Sequence, residues 1–496
     1  MKPNERHLIS KSSYIRALQC EKSLYLYKNH YHLKDEISAD KLALFTRGHE
    51  VGKLAHELFP NGVDASPANR FKQRDAIGKT AELINNGTNT IYEASFQCEQ
   101  VLIILDILVK KNEKWYGYEV KSSTPISETY LNDAALQYYI ITSSGIPLED
   151  FFLVTINTNY VFNGKLNVNE LFSTTSVSEL INPKLESISS NLNRFKSIIF
   201  EKTIPETPIG KHCFSPYECD FKGFCWKSVP ENSVFELADF SKEQQFELYE
   251  SGTVKIEDVK EAANYKKNTQ IQIKASQSKS EHILSEKINE ILESIHYPIA
   301  FVDFEVVSSA VPLYKGTSPF EQTPFQFSIQ RIEKDNSIKS IDFLGDVYTN
   351  PSENFIRQFI ANTEHVSSIV CYDKRLEINI LNKLKNQYPV YAKAIESTIN
   401  KTVDLSTIFT NRYFYSPLFK GKTNLKDVAS VLIEDIDYNS LKINSGLVAS
   451  YAFSSLKNET DIFKLSETRE NLIEYCQMDT KALLKLFLFL KKRYNN

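Results

Sequence analysis

Two acidic residues interrupt the apolar run Ile299-Ala-Phe-Val-Asp-Phe-Glu-Val-Val307, and as a strand this run would turn Asp303 and Glu305 to the same face. Like charges that close together in an apolar setting repel strongly unless a cation lies between them. Downstream, Tyr475 and Asp479 are related as i and i+4 in LIEYCQMDTKALLKLF, sharing a helix face with Leu472, Ala482 and Leu486. An aspartate on that apolar stripe also needs a partner. In YDKRLEINIL, Asp373 and Glu377 face the same way if the segment is helical. Asp303, Glu305, Glu377 and Asp479 would then be the acids of a two-metal site, with Tyr475 orienting the attacking water.

A second constellation lies in the first half. Asp106 is the one polar residue in Val101 to Val109, where an unpaired carboxylate would be costly or stay protonated. On the next expected strand, Glu119 and Lys121 point to one side. Two carboxylates can hold a divalent ion that polarises a phosphate, while the lysine positions or activates a water, which is the chemistry of phosphodiester hydrolysis. His56, in Gly52-x-x-x-His56, could add a nitrogen ligand that favours manganese over magnesium, and His49 competes for that role. The alternative is a structural ion pair for Asp106 and an ordinary salt bridge between Glu119 and Lys121.

Cys213, Cys219 and Cys225 are evenly spaced, and Cys20 follows an N-terminal helical stretch. Four thiolates suit zinc or an iron-sulfur cluster, and spacing alone leaves both open. Cys98, Cys371 and Cys476 read as core residues. Seven cysteines without an apolar leader argue against a disulfide framework.

The elements that must position these groups can be read from periodicity. Val51, Leu54, Ala55 and Leu58 give a helix stopped at Pro60-Asn61-Gly62, and Ser66-Pro67 reads as the start of another. Short strands follow from Ile91, with KKNEK as a polar turn, then a helix from about Asp133 to Gly145 and the strand FFLVTIN. A charged, helix-prone stretch precedes Tyr297, where a second sheet pattern begins that ends in a helix from about Glu467 to Tyr494. The expectation is an α/β chain with a first domain over 1–230, a helical connector over 231–296 and a second domain over 297–496.

The 496 residues are too many for one core, and 42% hydrophobic with 24% charged residues is a globular balance. No apolar run has the length of a membrane helix, so a cytoplasmic protein is expected. A net charge of -4 gives no global attraction to nucleic acid. Phosphate binding must come from cations or local clusters such as Lys420, Lys422 and Lys426.

In their order, Gly52-x-x-x-His56, Asp106, Glu119-x-Lys121 and a helix bearing Gln137 resemble the RecB-like branch of the PD-(D/E)XK nucleases. The tyrosine that usually follows the glutamine by four positions is displaced, with tyrosines at 138 and 139 instead. One cysteine before these motifs and three after resembles the iron-sulfur members of that branch, including the CRISPR-associated adaptation nuclease and the AddB subunit. That resemblance implies a 4Fe-4S cluster on Cys20, Cys213, Cys219 and Cys225, with a structural role. Residues 297 to 494 resemble the DnaQ-like exonucleases of the RNase H fold, in the DEDDy subtype because tyrosine precedes the last aspartate by four. The middle motif reads Asp373-x-x-x-Glu377 rather than the usual N-x-x-x-D, so the third acid could be Asp373; Asp404 stays outside the set.

With SPLFKGKTNLKDV and YNSLKINSGLVASYAF, nearly the whole chain looks like bacterial proteins that fuse the two nuclease types. The implied activity is metal-dependent hydrolysis of DNA at two sites with Mg2+ or Mn2+, on single strands or free ends, with 3'-to-5' polarity in the second domain. It would serve repair, recombination or phage defence. The alternatives are an RNA-processing exonuclease, or a redox-sensing nucleic-acid-binding protein with one or both sites inactive.

Overall fold

Alternating strand patterns in both halves produce a mixed α/β chain whose computed structural model describes residues 7–494 apart from 68, 70, 71 and 261. Its contacts form two units. One comprises Met1–Ser228 with Ala310–Phe320, the other Val229–Ser309 with Glu321–Asn496.

In the first unit, strands β1 (Ile9–Ser10), β2 (Val63–Asp64), β3 (Thr90–Cys98), β4 (Val101–Lys111), β5 (Lys114–Val120), β6 (Leu148–Ile156) and β7 (Phe172–Ser176) form one sheet. Its order is β2-β3-β4-β5-β6-β7, with β1 added in parallel to β4. The expected polar turn joins β4 to β5 through Asn112 and Glu113, whose φ values of 49° and 59° are those of a tight hairpin turn. The helix expected from Asp133 spans Glu128–Ser143, capped by Ser127. It joins Ser178–Ile199 over a core with Leu136, Ile140, Leu153 and Leu192.

A smaller cluster holds Val51, Ala55, Ile107 and Tyr118, with Leu54 and Leu58 packed against it as the helical spacing required. Ala310, Val311 and Phe320 complete this cluster. Backbone bonds between Phe162 and both Gly316 and Thr317 fasten the segment there. The helix expected at Ser66-Pro67 begins instead at Gln73, and both Ser66 and Pro67 lie outside it.

The second unit carries β8 (His282–Ile283), β9 (Ile299–Val307), β10 (Thr323–Ile332), β11 (Ile338–Leu344), β12 (Ser368–Cys371), β13 (Thr402–Asp404) and β14 (Phe414–Tyr415). The main sheet runs β11-β10-β9-β12-β13, antiparallel through its first three strands and parallel from β9 onward. Helices Ser352–Thr363, Arg375–Gln387 and Ala392–Asn400 supply one apolar layer, and Ile462–Tyr494 contributes to another. That last helix starts five residues before its expected position.

The stretch expected as a connector is helical in part, at Lys242–Glu250, Lys267–Ser278 and Ser285–Glu293. It does not stand apart as a connector. Ile271, Ala275, Ile288, Leu292 and Ile295 share one core with Phe301, Leu405 and Phe487, because burying these apolar faces outweighs leaving them in water. Among the described residues no helix is long and apolar enough to cross a membrane.

Phe301 is fully buried on β9, and its ring centroid lies 5.2 Å from that of Phe487. Phe301→Ala should lower stability by about 3–5 kcal/mol, read as a reduced urea midpoint by circular dichroism. An unchanged midpoint would contradict the packing described for this layer.

Candidate carboxylate sites

In the second unit the alternation of β9 places Asp303 and Glu305 on the same face as Phe301 and Val307. The long helix Ile462–Tyr494 is fixed over β10 by a bond from Gln326 Nε2 to the Leu472 carbonyl and by the Ser328 and Thr480 hydroxyls, 2.9 Å apart. This brings Asp479 to β9. One carboxylate oxygen from each of Asp303, Glu305 and Asp479 lies within 4.8 Å of the others.

Burial raises all three acids, and mutual repulsion adds to it for Asp303 and Glu305; Glu305 reaches about 8. Tyr438 donates a 2.7 Å hydrogen bond to Asp479 Oδ1, and the Tyr475 side chain acts to lower the pKa of that carboxylate. Lys426 Nζ donates to the Tyr475 hydroxyl at 3.2 Å and to the Asn444 carbonyl at 2.6 Å. Its positive charge acts on both Glu305 and Asp479. A cavity of about 680 Å³ opens here, lined by Asp303, Asp479, Lys426, Tyr438 and Tyr372 among others.

Glu377, and not Asp373, belongs to this neighbourhood. Glu377 is buried, burial pushes it up to about 8, and its charge acts on Asp303 and Glu305; its Oε2 has no hydrogen-bond partner. Asp373 sits at φ 60° with its carboxylate held by Arg375. Asp404 accepts the backbone N–H groups of Asp373, Lys374 and Ser406, so it caps the turn that leads into the Glu377 helix.

Of the expected basic cluster, Lys420 pairs with Glu231 and Lys422 with Asp427; neither is among the residues that line the cavity, whereas Lys426 is. Cys371 and Cys476 are buried as expected, but the Cys476 thiol also lies 3.5 Å from Asp303 Oδ2. Cys98 is half-buried at the edge of its core.

In the first unit Asp106 on β4 accepts the Val120 N–H at 2.6 Å, and burial followed by the charge of Glu119 pushes it up to about 8. Glu119 is 2% exposed. Burial alone would raise it, yet two ammonium groups outweigh burial and hold it well below the usual carboxylate range. Lys11 and Lys121 each reach its Oε1 at 2.7 Å, leaving Oε2 buried without a hydrogen-bond partner.

Lys121 also bonds Asp133 at 2.6 Å, and Gln137 reaches the other oxygen of Asp133 at 3.3 Å. Lys11 and Asp133 were missed in the sequence. Asp133 had a signal, being i and i+4 with Gln137 on the apolar face of a helix; Lys11, far away in the chain, had none. His56 stacks on Tyr92 with centroids 4.0 Å apart, and the charges acting on it are those of Asp64, Lys53 and His49. Among the described residues, His56, Asp106 and Glu119 do not bring ligand atoms within 4.8 Å of one another, and His56 Nε2 is buried without a hydrogen-bond partner.

Cys20, Cys213, Cys219 and Cys225 all line one small cavity, with Lys22, Lys222 and His212 around them. Their thiols are free. Burial pushes Cys20 up to about 11, and the charges of Cys219 and Cys213 act in the same direction.

Residues 300–424 match the family described as "Domain of unknown function (DUF2779)", a stretch that includes Asp303, Glu305 and Glu377 and ends before Tyr475 and Asp479. The chain is 24% identical over 210 residues, 38% of its length, to "Uncharacterized protein MG366" of Mycoplasma genitalium. It is also 24% identical over 270 residues, half its length, to the "Uncharacterized protein MG366 homolog" of Mycoplasma pneumoniae. The matches span 32% and 40% of those two proteins.

Because Glu305 and Glu377 are raised to about 8, and Asp303 well above its ordinary value, their contribution to stability is complete below about pH 4 and is lost for the two glutamates as pH rises through about 8. A divalent cation needs the deprotonated acids. Mn2+ should therefore raise the melting temperature more at pH 8 than at pH 5.5, and Asp303→Asn should shrink that difference in scanning fluorimetry. An equal Mn2+ effect at both pH values would contradict the assignment.

Proposed function

We propose that this chain is a metal-dependent nuclease that hydrolyses DNA phosphodiester bonds at two carboxylate sites, one in each unit. The observation that carries the reading is the convergence of Asp303, Glu305 and Asp479 within 4.8 Å, next to two tyrosine hydroxyls and one lysine. Three acids so placed have no fixed counter-charge equal to their own. A divalent cation fits that set.

The sheet order β11-β10-β9-β12-β13, with Asp303 and Glu305 on its central strand, supports a DnaQ-like reading of the second unit. Asp106 and Glu119 on adjacent strands, with Lys121 just past the end of the second, support a RecB-like PD-(D/E)XK reading of the first.

Asp303, Glu305 and Asp479 would hold Mg2+ or Mn2+, and Glu377 with its unpaired Oε2 would complete the shell. A cation there would polarise the scissile phosphate and acidify a bound water. Tyr475 would orient that water, with its hydroxyl held by Lys426. In the first unit Asp106 and the free Oε2 of Glu119 would take the cation, and Lys121 would leave its ion pairs to position the nucleophile.

The four free thiols around one cavity fit a 4Fe-4S cluster, since thiolates gathered there would repel one another without a cation and two lysines add favourable charge. Bound there, it would tie Cys20 to the 213–225 segment and so close a loop of about 190 residues.

The test is cleavage of 5'- and 3'-labelled single-stranded DNA with Mg2+ or Mn2+ by anaerobically purified protein, with matched RNA as competitor. Lys121→Ala and Asp303→Ala should each remove a different product set by about a hundredfold or more, and the double variant should be inert. No cleavage by the wild type with either metal would remove the proposal; RNA cleaved in preference to DNA would replace its substrate.

A further inference from the structure

Lys11 is the first residue of the helix Lys11–Gln19, capped by the Ser10 hydroxyl. A cation there meets the positive end of the helix dipole, so the helix gains nothing from it. Its ammonium instead bonds Glu119 Oε1 at 2.7 Å and lies 3.9 Å from Asp133. Lys121 uses the same Glu119 oxygen and the same Asp133 oxygen. The two lysines therefore share one pair of acids. If Lys121 turns toward a substrate phosphate, Lys11 is the counter-charge that remains.

The other end of the helix is fastened to the cysteine-rich segment. Arg16 bonds Asp220 Oδ2 at 2.7 Å and stacks over Tyr27 and Phe221. Gln19 Nε2 donates to the carbonyls of His212 at 2.6 Å and Tyr217 at 2.7 Å. Cys20, the next residue, closes the helix with its N–H on the Arg16 carbonyl and lines the cavity with Cys213, Cys219 and Cys225. Nine residues at 1.5 Å each make a rod of about 13 Å with Lys11 at one end and Cys20 at the other. On the near side, β1 is held to β4 through Ile9 and Ser10.

We propose that Lys11 is a positioning residue of the first carboxylate site, holding Glu119 by Oε1 so that Oε2 stays available to a cation, and that its hold depends on the thiol set at the far end of its helix. This rests on the nuclease reading of that site. Lys11 keeps Glu119 charged and in place while Lys121 serves the nucleophile. Losing whatever the four cysteines bind would free Cys20, loosen the rod and slacken that grip. The thiol set would then govern the cation requirement of a site it does not touch.

The experiment compares full-length, anaerobically purified wild type with Lys11→Ala, Lys11→Arg, Lys121→Ala and Cys213→Ala. Three readouts are taken: the product set that Lys121→Ala removes, as a function of Mn2+; iron and sulfide content; and amide hydrogen exchange across residues 11–19. Lys11→Ala should keep wild-type iron and sulfide, lose about 10- to 100-fold in rate and need more Mn2+, and Lys11→Arg should recover most of both. Cys213→Ala should lose iron, exchange the 11–19 amides at least about tenfold faster and raise the Mn2+ requirement.

Lys11→Ala cleaving at the wild-type rate and Mn2+ level, while Lys121→Ala does not cleave, would overturn the role of Lys11 and leave the nuclease reading intact. Unchanged exchange in iron-free Cys213→Ala would overturn the coupling. Lys121→Ala with wild-type products would remove the nuclease reading of this site and the inference with it.

Discussion

Electrostatic repulsion among buried carboxylates is the constraint around which both units are arranged. Bringing Asp303, Glu305 and Asp479 together costs solvation and sets like charges against each other, so the surrounding elements must force the approach. They do so with apolar area: β9 is buried on both faces, and the last helix is locked over β10 by hydrogen bonds that do not involve the acids. Such a centre is assembled by apolar packing and hydrogen bonds outside the acids, which offset the cost of bringing the carboxylates together.

The two centres handle the same problem differently. Around Glu119, fixed ammonium groups keep the carboxylate ionised in the absence of any cation. In the second, the Lys426 ammonium acts on Glu305 and Asp479, and it is anchored on a tyrosine hydroxyl and a backbone carbonyl rather than on the acids. The first centre therefore balances its carboxylate with an internal salt, whereas burial and repulsion in the second favour the protonated acids.

What the sequence disclosed follows the range of the interactions. Asp303, Glu305, Asp106 and Asp479 stood out because each breaks an apolar pattern whose period is local, and the hairpin at Asn112-Glu113 was equally local. The choice between Asp373 and Glu377 was not legible, since it turns on a left-handed backbone at Asp373 and on Asp404, which arrives from another strand. Lys11, Tyr438 and Lys426 reach their partners across the fold, and no spacing rule reports that. Residues 231–296 were misjudged for a different reason: their charge was more conspicuous than the apolar spacing of Ile288, Leu292 and Ile295, which decides where they pack.

The segment Ala310–Phe320 has a consequence for modularity. It lies in sequence between β9 and β10 of the second unit, yet its apolar side chains finish a cluster of the first and its backbone is bonded to Phe162. The boundary between the units is thus crossed more than once by the chain, and no single cut yields two self-sufficient pieces. A fragment ending near Ser228 would leave Tyr118 and Phe172 short of their covering, while the complementary fragment would carry an apolar loop with nothing to bury it. Two units so interlaced must be expressed and folded as one chain.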